Sequence, residues 1–415
     1  MTASQTLLRT LRTRRRLGTI ALATLALLLV WPLFYAYLMR TGHVDGFHHG
    51  DFGAYYIAAL DWQAGESLYV EPYFGGWLYP PVYVLVFVPF LELAFDTASW
   101  VWTIGSILAL WLALQALVAG FEIRLRWWER VVGLWALVGF HPLLYGSRLG
   151  QASIAIAAIV TLAFAAFEFE RITDRRRYAH LSGLLTAIGG TVKLLYAPVG
   201  AHLVHDRRRF AGALFGGIVL AVVSLVVFGV DEHFGYLEML SWGEDWGRDP
   251  LHPVAWFPGY YRPLYVVDAL ALPLRALGVS CIIALAWWTR DTGADRELFA
   301  LGIVSIPVLG PQVSTHDLVV TLPAIIALLV IEHRRDGRPD LPIISLALFQ
   351  LHIFGLRALV SLPAWVPLAD YVIGWSPWLQ PALWGNLILV GLAAYRTYEY
   401  RPLGIAQWPE EARLG

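Results

Sequence analysis

The chain has 415 residues, of which 58% are hydrophobic and only 15% charged, with a mean hydropathy of +0.59 and a formal net charge of −1. A soluble domain carries about a quarter charged residues, so this composition excludes an ordinary soluble protein; the net charge says nothing about nucleic acid, because the charges are segregated by loop. The single cysteine, Cys281, lies in an apolar run and excludes a disulfide framework and a Cys-based metal site.

Apolar runs of the length that crosses about 30 Å of hydrocarbon recur along the chain. The expected fold is therefore all-α, a polytopic membrane protein. "RTLRTRRR" precedes the first run, Leu17 to Met39. That run is too long for a signal-peptide core and lacks a small-residue cleavage site, so it reads as a retained helix with a cytoplasmic N-terminus. Arginine clusters mark the other inside loops: Arg124 to Arg130, Arg171 to Arg177, Arg207 to Arg209, Arg290 to Arg296, Arg334 to Arg338, and the tail from Arg396. The expected organisation is a basic cytoplasmic segment 1–16, one transmembrane catalytic domain 17–395 with outer loops 40–80 and 231–262, and a cytoplasmic tail 396–415.

Val82 to Phe95 is marginal for spanning. A full crossing there would leave the Arg124 cluster outside, so the segment is expected to be a short re-entrant or interfacial helix. Ala98 to Ala119 then crosses inward, Val131 to Tyr145 crosses outward, "GSRLGQAS" lies at the outer surface, and Ala155 to Phe169 returns. "LSGLLTAIGGTVKLLYAPVGAHLV" lies between two inside arginine clusters, which one crossing cannot join. Two half-helices with "GGTVK" at the tip can, and broken helices are tolerated where their backbone lines a polar cavity. Phe210 to Val230 leads to a second outer loop rich in Trp and Tyr. Tyr265 to Trp288 returns, Leu298 to Leu309 exits, "GPQVSTHD" sits outside, and Leu318 to Glu332 returns. Leu341 to Ala358 and Leu379 to Tyr395 form the last pair. The total is about 10–12 transmembrane helices with both termini inside.

Polar residues that collect on one side of a membrane protein suggest a site. The outer collection is His48, His49 and Asp51, then Tyr79, then Arg148 and Gln151, then Lys193, then His316 and Asp317. Asp51 opens the helical run "FGAYYIAALDWQAG", which suits an N-cap or a general base for an alcohol; the two readings are compatible. Adjacent His48 and His49 do not have the spacing of metal ligands on a helix, and a contact with an anionic substrate suits them better. Lys193 is the one lysine in the chain. It and Arg148 either snorkel to headgroups or clamp a departing phosphate. Asp317 reads as a cap, and His316 as a donor to phosphate or sugar. The tryptophans and tyrosines form an interfacial belt or stack on sugar faces.

In chain order, "DFGAYYIAALDWQAGESLY", "YPPVYVLVFVPF", "GQASIAIAAIV", "GLLTAIGGTVKLLYAPVG" and "GPQVSTHDLVVTLP" resemble family 87 of the glycosyltransferases, within the membrane-embedded GT-C class. Ser153 stands where that family usually has Asn, and His316-Asp317 where it commonly has a His pair. The resemblance implies a GT-C-like bundle. It also implies transfer of a hexose, mannose above others, from a polyprenyl or dolichyl phosphate to a lipid-linked or glycan acceptor on the outer face of the cell membrane. Asp51 matches the proposed base. Lys193, with Arg148 and His316, is expected to hold the donor phosphate. His49, Tyr55, Tyr79, Gln151 and Arg262 are expected to line the substrate. No nucleotide-binding motif or metal-ligand cluster is seen in the sequence, so no cofactor or metal is expected. The expected partners are the lipid-linked donor, the acceptor and membrane lipids, with no nucleic acid. A transporter or flippase of a lipid-linked or sugar substrate is the alternative, since broken helices and midplane charges also mark transporters.

Overall fold

The computed structural model describes residues 15–69, 76–246, 260–261, 264, 267–310, 313–352 and 380–400. These residues form an all-α polytopic bundle, and six of the described helices are long and apolar enough to cross a membrane. The first half comprises α1 Arg15–Arg40, α2 Gly50–Ala64, α3 Phe95–Gly120, α4 Trp127–Val138, α5 His141–Leu149, α6 Ser153–Thr173 and α7 Arg176–Val192. The second comprises α8 Arg207–Phe228, α9 Asp231–Trp246, α10 Asp268–Trp288, α11 Asp295–Leu309, α12 Leu322–Arg334, α13 Asp340–Leu351 and α14 Pro381–Tyr398. A two-residue antiparallel pair, β1 Tyr260–Tyr261 and β2 Val313–Ser314, joins the segment before α10 to the segment after α11.

α6 lies at the centre, packed on α3 and α7, while α7 packs along α8. The α7–α8 approach needs glycine. A Cβ on Gly183 would fall 1.8 Å from the Arg209 carbonyl oxygen, and one on Gly212 would fall 2.2 Å from that of His180. Small residues at such crossings let two backbones meet without side chains between them. α8 and α10 turn Phe215, Val226, Leu272 and Ile283 outward, as a lipid-facing surface requires.

The ends of the bundle differ in chemistry. At one end Arg296 grips Glu168 through two bonds of 2.7 and 2.5 Å, and Arg209 reaches Glu170 at 2.8 Å and Asp295 at 2.9 Å. Arg335 pairs with Glu297 at 2.9 Å, and Arg396 with Glu332 at 2.5 and 2.7 Å. These arginines are those of the clusters read as inside loops. The polar residues read as outer gather at the other end of α6, about 30 Å away for 21 residues of helix.

Three local features depart from or sharpen the sequence reading. The segment after Pro80 is two 3₁₀ helices, Pro81–Val86 and Val88–Glu92, a non-spanning element as expected. The segment expected to cross as one helix over 131–145 is instead broken between α4 and α5. Gln350 bridges that break: its amide accepts the His141 N–H at 2.7 Å and donates to the Gly139 carbonyl at 3.0 Å. A side chain from α13 thus satisfies backbone groups that a continuous helix would have paired internally. The "VSTHD" stretch, read as lying on the outer side, is buried within the protein, with His316 5% and Asp317 1% exposed. The Asp317 carboxylate finds its partners, Lys193, Tyr196 and the Ser314 N–H, inside the protein, which is the condition for burying it.

Candidate functional site

The site begins where α5 meets α2. His49, the residue before α2, has φ 47°, and its N–H and that of His48 donate to the Arg148 carbonyl at 3.0 and 3.3 Å. Gly150 ends α5 at φ +71°, and a Cβ there would lie 2.7 Å from the Phe52 Cβ. Only glycine combines that left-handed turn with so close a contact. The turn delivers the next residue, Gln151, to the first turn of α2, where its amide donates to Asp51 Oδ2.

From there the contacts form one chain. The Tyr55 hydroxyl donates to Gln151 Oε1 at 3.1 Å and meets the Tyr79 hydroxyl at 3.0 Å. The Tyr79 ring lies 5.6 Å from the Lys193 ammonium. Lys193 stands in extended backbone between α7 and the 3₁₀ run Leu194–His205, the expected break in "GGTVK". It donates to Asp317 Oδ1 at 3.2 Å, and that oxygen also accepts from the Tyr196 hydroxyl at 2.9 Å. Asp317 Oδ2 accepts the Ser314 N–H at 3.0 Å, so it caps its own 3₁₀ helix, Thr315–Thr321, as well as pairing with Lys193. His316 Nδ1 lies 3.6 Å from Asp317, and its ring stacks on Tyr145 at 6.1 Å. Arg148 lies over the same Tyr145 ring at 5.1 Å.

The structure therefore gathers Asp51, Tyr55, Tyr79, Arg148, Gln151, Lys193 and His316. Asp51 does not act as an N-cap: the cap position belongs to His49, whose side chain makes no cap bond, while His48 Nδ1 accepts the N–H of Gly50 at 3.2 Å. The His49 imidazole packs edge-on against Trp100 at 4.7 Å. Burial lowers its proton affinity below the ordinary value, which keeps it uncharged at neutral pH. Arg262 lies outside the described residues. Among the described residues no group of three His, Cys, Asp or Glu side chains converges in a way that would hold a metal. Sequence reasoning missed Tyr145, Tyr196 and the pairing of Asp317 with Lys193. The pair is 124 residues apart, and no local pattern links such partners.

The sequence model of glycosyltransferase family 87 matches residues 77–311, more than half of the chain. The chain belongs to glycosyltransferase family 87. A family match over this span takes in Tyr79, Arg148, Gln151 and Lys193; Asp51 and His316 lie outside it and join the site through the contacts above. The chain is 28% identical over 264 residues to a Mycolicibacterium smegmatis protein, the polyprenol-phosphate-mannose-dependent alpha-(1-2)-phosphatidylinositol pentamannoside mannosyltransferase. That alignment covers 60% of this chain and 60% of the relative. No solved structure matches significantly.

Proposed function

We propose that this family 87 glycosyltransferase moves a hexose, mannose by the relative's example, from a polyprenyl phosphate to a lipid-linked acceptor at the outer membrane face. The observation that carries this is the state of Asp51. One carboxylate oxygen is held by Gln151, and among the described residues no other hydrogen bond to Asp51 is formed. The second oxygen is therefore available to an acceptor hydroxyl, while Gln151 fixes the carboxylate's direction. Lys193 acts electrostatically on Asp51 without pairing to it. A general base needs this combination of orientation and a free acceptor atom.

In the proposed reaction the acceptor O–H gives its proton to Asp51. Its oxygen attacks the anomeric carbon, and the bond from that carbon to the phosphate oxygen breaks. The electron pair leaves with the lipid phosphate, and the configuration inverts, as with a single base in inverting glycosidases. Lys193, Arg148 and His316 surround the position where that charge develops. Tyr55, Tyr79, Gln151 and His49 shape the substrate wall, and Arg262 is assigned to it from the second outer loop. The arginine-rich end faces the cytoplasm by the positive-inside rule, which puts both termini inside and the site outside.

The test is transfer from radiolabelled polyprenyl-phosphate-mannose to a membrane extract by purified protein in lipid, wild type beside Asp51→Asn. Transfer by wild type alone is expected. Equal transfer by the variant would remove Asp51 from the base role. No transfer by wild type with mannose or glucose donors would remove the donor class.

A further inference from the structure

Tyr55 and Tyr79 are buried, and the contacts around their hydroxyls fix which way each proton in the chain to Asp51 points. An ionised carboxylate only accepts hydrogen bonds. The Gln151 group that faces Asp51 Oδ2 is therefore its NH₂, and the amide oxygen is turned to Tyr55. The Tyr55 hydroxyl has one proton, and it goes to that oxygen at 3.1 Å. The 3.0 Å contact between the two tyrosine hydroxyls is then donated by Tyr79. The Ala152 N–H also donates to the Tyr55 oxygen, at 3.3 Å. Along the series Tyr79, Tyr55, Gln151, every one of these protons points toward Asp51.

Hydrogen bonds aligned in one direction polarise and strengthen one another, and this series ends on a charged acceptor. Its far end is anchored. The Tyr79 carbonyl accepts from the Tyr69 hydroxyl at 2.5 Å, and Tyr69 is backed by Gly235 of α9, where a Cβ would lie 3.1 Å from that of Tyr69. The middle link is the sensitive one, because among the described residues Tyr55 is the donor to Gln151 Oε1. Without the Tyr55 hydroxyl that oxygen loses its donor, and the amide gains the freedom to turn it toward Asp51. Two acceptors would then face each other, and the carboxylate would leave the orientation that proton transfer needs.

We propose that Tyr55 and Tyr79 are positioning residues for the base: their hydroxyls hold the Gln151 amide with its NH₂ toward Asp51. The proposal rests on the reading of Asp51 as the general base. Both hydroxyls act through Gln151 and not on the substrate, whatever the rings contribute to the wall of the site. The serial arrangement has three consequences. Loss of either hydroxyl slows the chemical step and leaves donor binding as it was. Tyr55 matters more than Tyr79, because it is the link that touches the amide. Once the Tyr55 hydroxyl is gone, that of Tyr79 has no further effect on Asp51.

The test uses full-length wild type, Tyr55→Phe, Tyr79→Phe, the double variant and Tyr56→Phe, each purified in lipid. Initial rates of transfer to membrane extract are measured over a range of radiolabelled polyprenyl-phosphate-mannose. Tyr56 is the control: it stands beside Tyr55 on α2, and its hydroxyl donates to the Leu93 carbonyl at 3.1 Å, outside the chain. Tyr55→Phe is expected to lower kcat about tenfold, the scale of one hydrogen bond, with the KM for donor changed by less than about twofold. Tyr79→Phe should lower kcat about threefold, the double variant should match Tyr55→Phe, and Tyr56→Phe should match wild type. Unchanged kcat in both single variants overturns the proposal. So does a raised KM at unchanged kcat, which would put the hydroxyls on the substrate. Losses that multiply in the double variant would make the two tyrosines independent, and an equal loss in Tyr56→Phe would reduce the effect to helix stability; either overturns it. If Tyr55→Phe does not fold, kcat and KM of Tyr79→Phe decide by the same criteria. A wild type that transfers no sugar would sink the enzyme reading itself, whereas every outcome above leaves wild-type transfer in place.

Discussion

Replacing Asp317 by Asn removes one charge from a pair whose side chains are 20% exposed at Lys193 and 2% at Asp317. The amide has one oxygen for two carboxylate positions: with it at Oδ2 the side chain keeps the Ser314 N–H at 3.0 Å and loses the Oδ1 acceptor that now takes the Tyr196 hydroxyl at 2.9 Å. It also turns an NH₂ toward an ammonium that stood 3.2 Å from a carboxylate, so Lys193 stays buried without compensation. Breaking a buried pair from one side costs about 3–5 kcal/mol, whereas removing both charges together is often close to neutral. Lys193→Met should cost a similar amount, about 3 kcal/mol. The double variant should then be less destabilised than the sum of the singles by about 3 kcal/mol or more. Unfolding free energies measured in mixed detergent micelles for the four proteins give this coupling directly. If the single losses simply add, the two side chains act independently and the account of Asp317 as Lys193's counter-ion is wrong.

Gly150→Ala forces a Cβ to within 2.7 Å of the Phe52 Cβ at φ +71°. It should destabilise by about 1–3 kcal/mol and cut transfer at least tenfold by pulling Gln151 off Asp51; unaltered activity would show that the Gln151 contact is dispensable. Gln350→Leu orphans the His141 N–H and the Gly139 carbonyl, so a loss of about 2–5 kcal/mol is expected, together with faster amide exchange at residues 139–141. His49→Asn keeps a residue that tolerates the left-handed region, whereas His49→Val does not. The first should purify as a folded protein with a melting temperature close to wild type, and the second should fall well below it.

Much of the architecture is written locally. The arginine clusters give the two ends, the marginal length of Val82 to Phe95 gives a non-spanning element, and "GGTVK" gives the break that frees Lys193. Each of these rests on a property of a few adjacent residues. What was not legible depends on pairs distant in sequence. Gln350 splices a break 209 residues away, and nothing in the apolar run 131–145 distinguishes a stapled pair of short helices from one continuous helix. The same holds for Asp317. Its neighbours suggest a cap, which it is, but its burial follows from a lysine on another segment. Polar loops become buried in the protein wherever their polar groups can be satisfied by one another.

The separation of the arginine–carboxylate end from the Asp51–Lys193 end also bears on how this protein can change. The Glu168–Arg296 and Glu332–Arg396 pairs hold α6 to α11 and α12 to α14 at the end away from Asp51. Substitutions around Tyr55, Tyr79 or Ser153 leave that clasp untouched. A library of variants confined to the site end should therefore contain many folded members with altered donor or acceptor preference, while one of equal size aimed at the clasp should yield mostly protein that fails to assemble. Lineages built on this plan are free to diverge in what they glycosylate long before they diverge in shape.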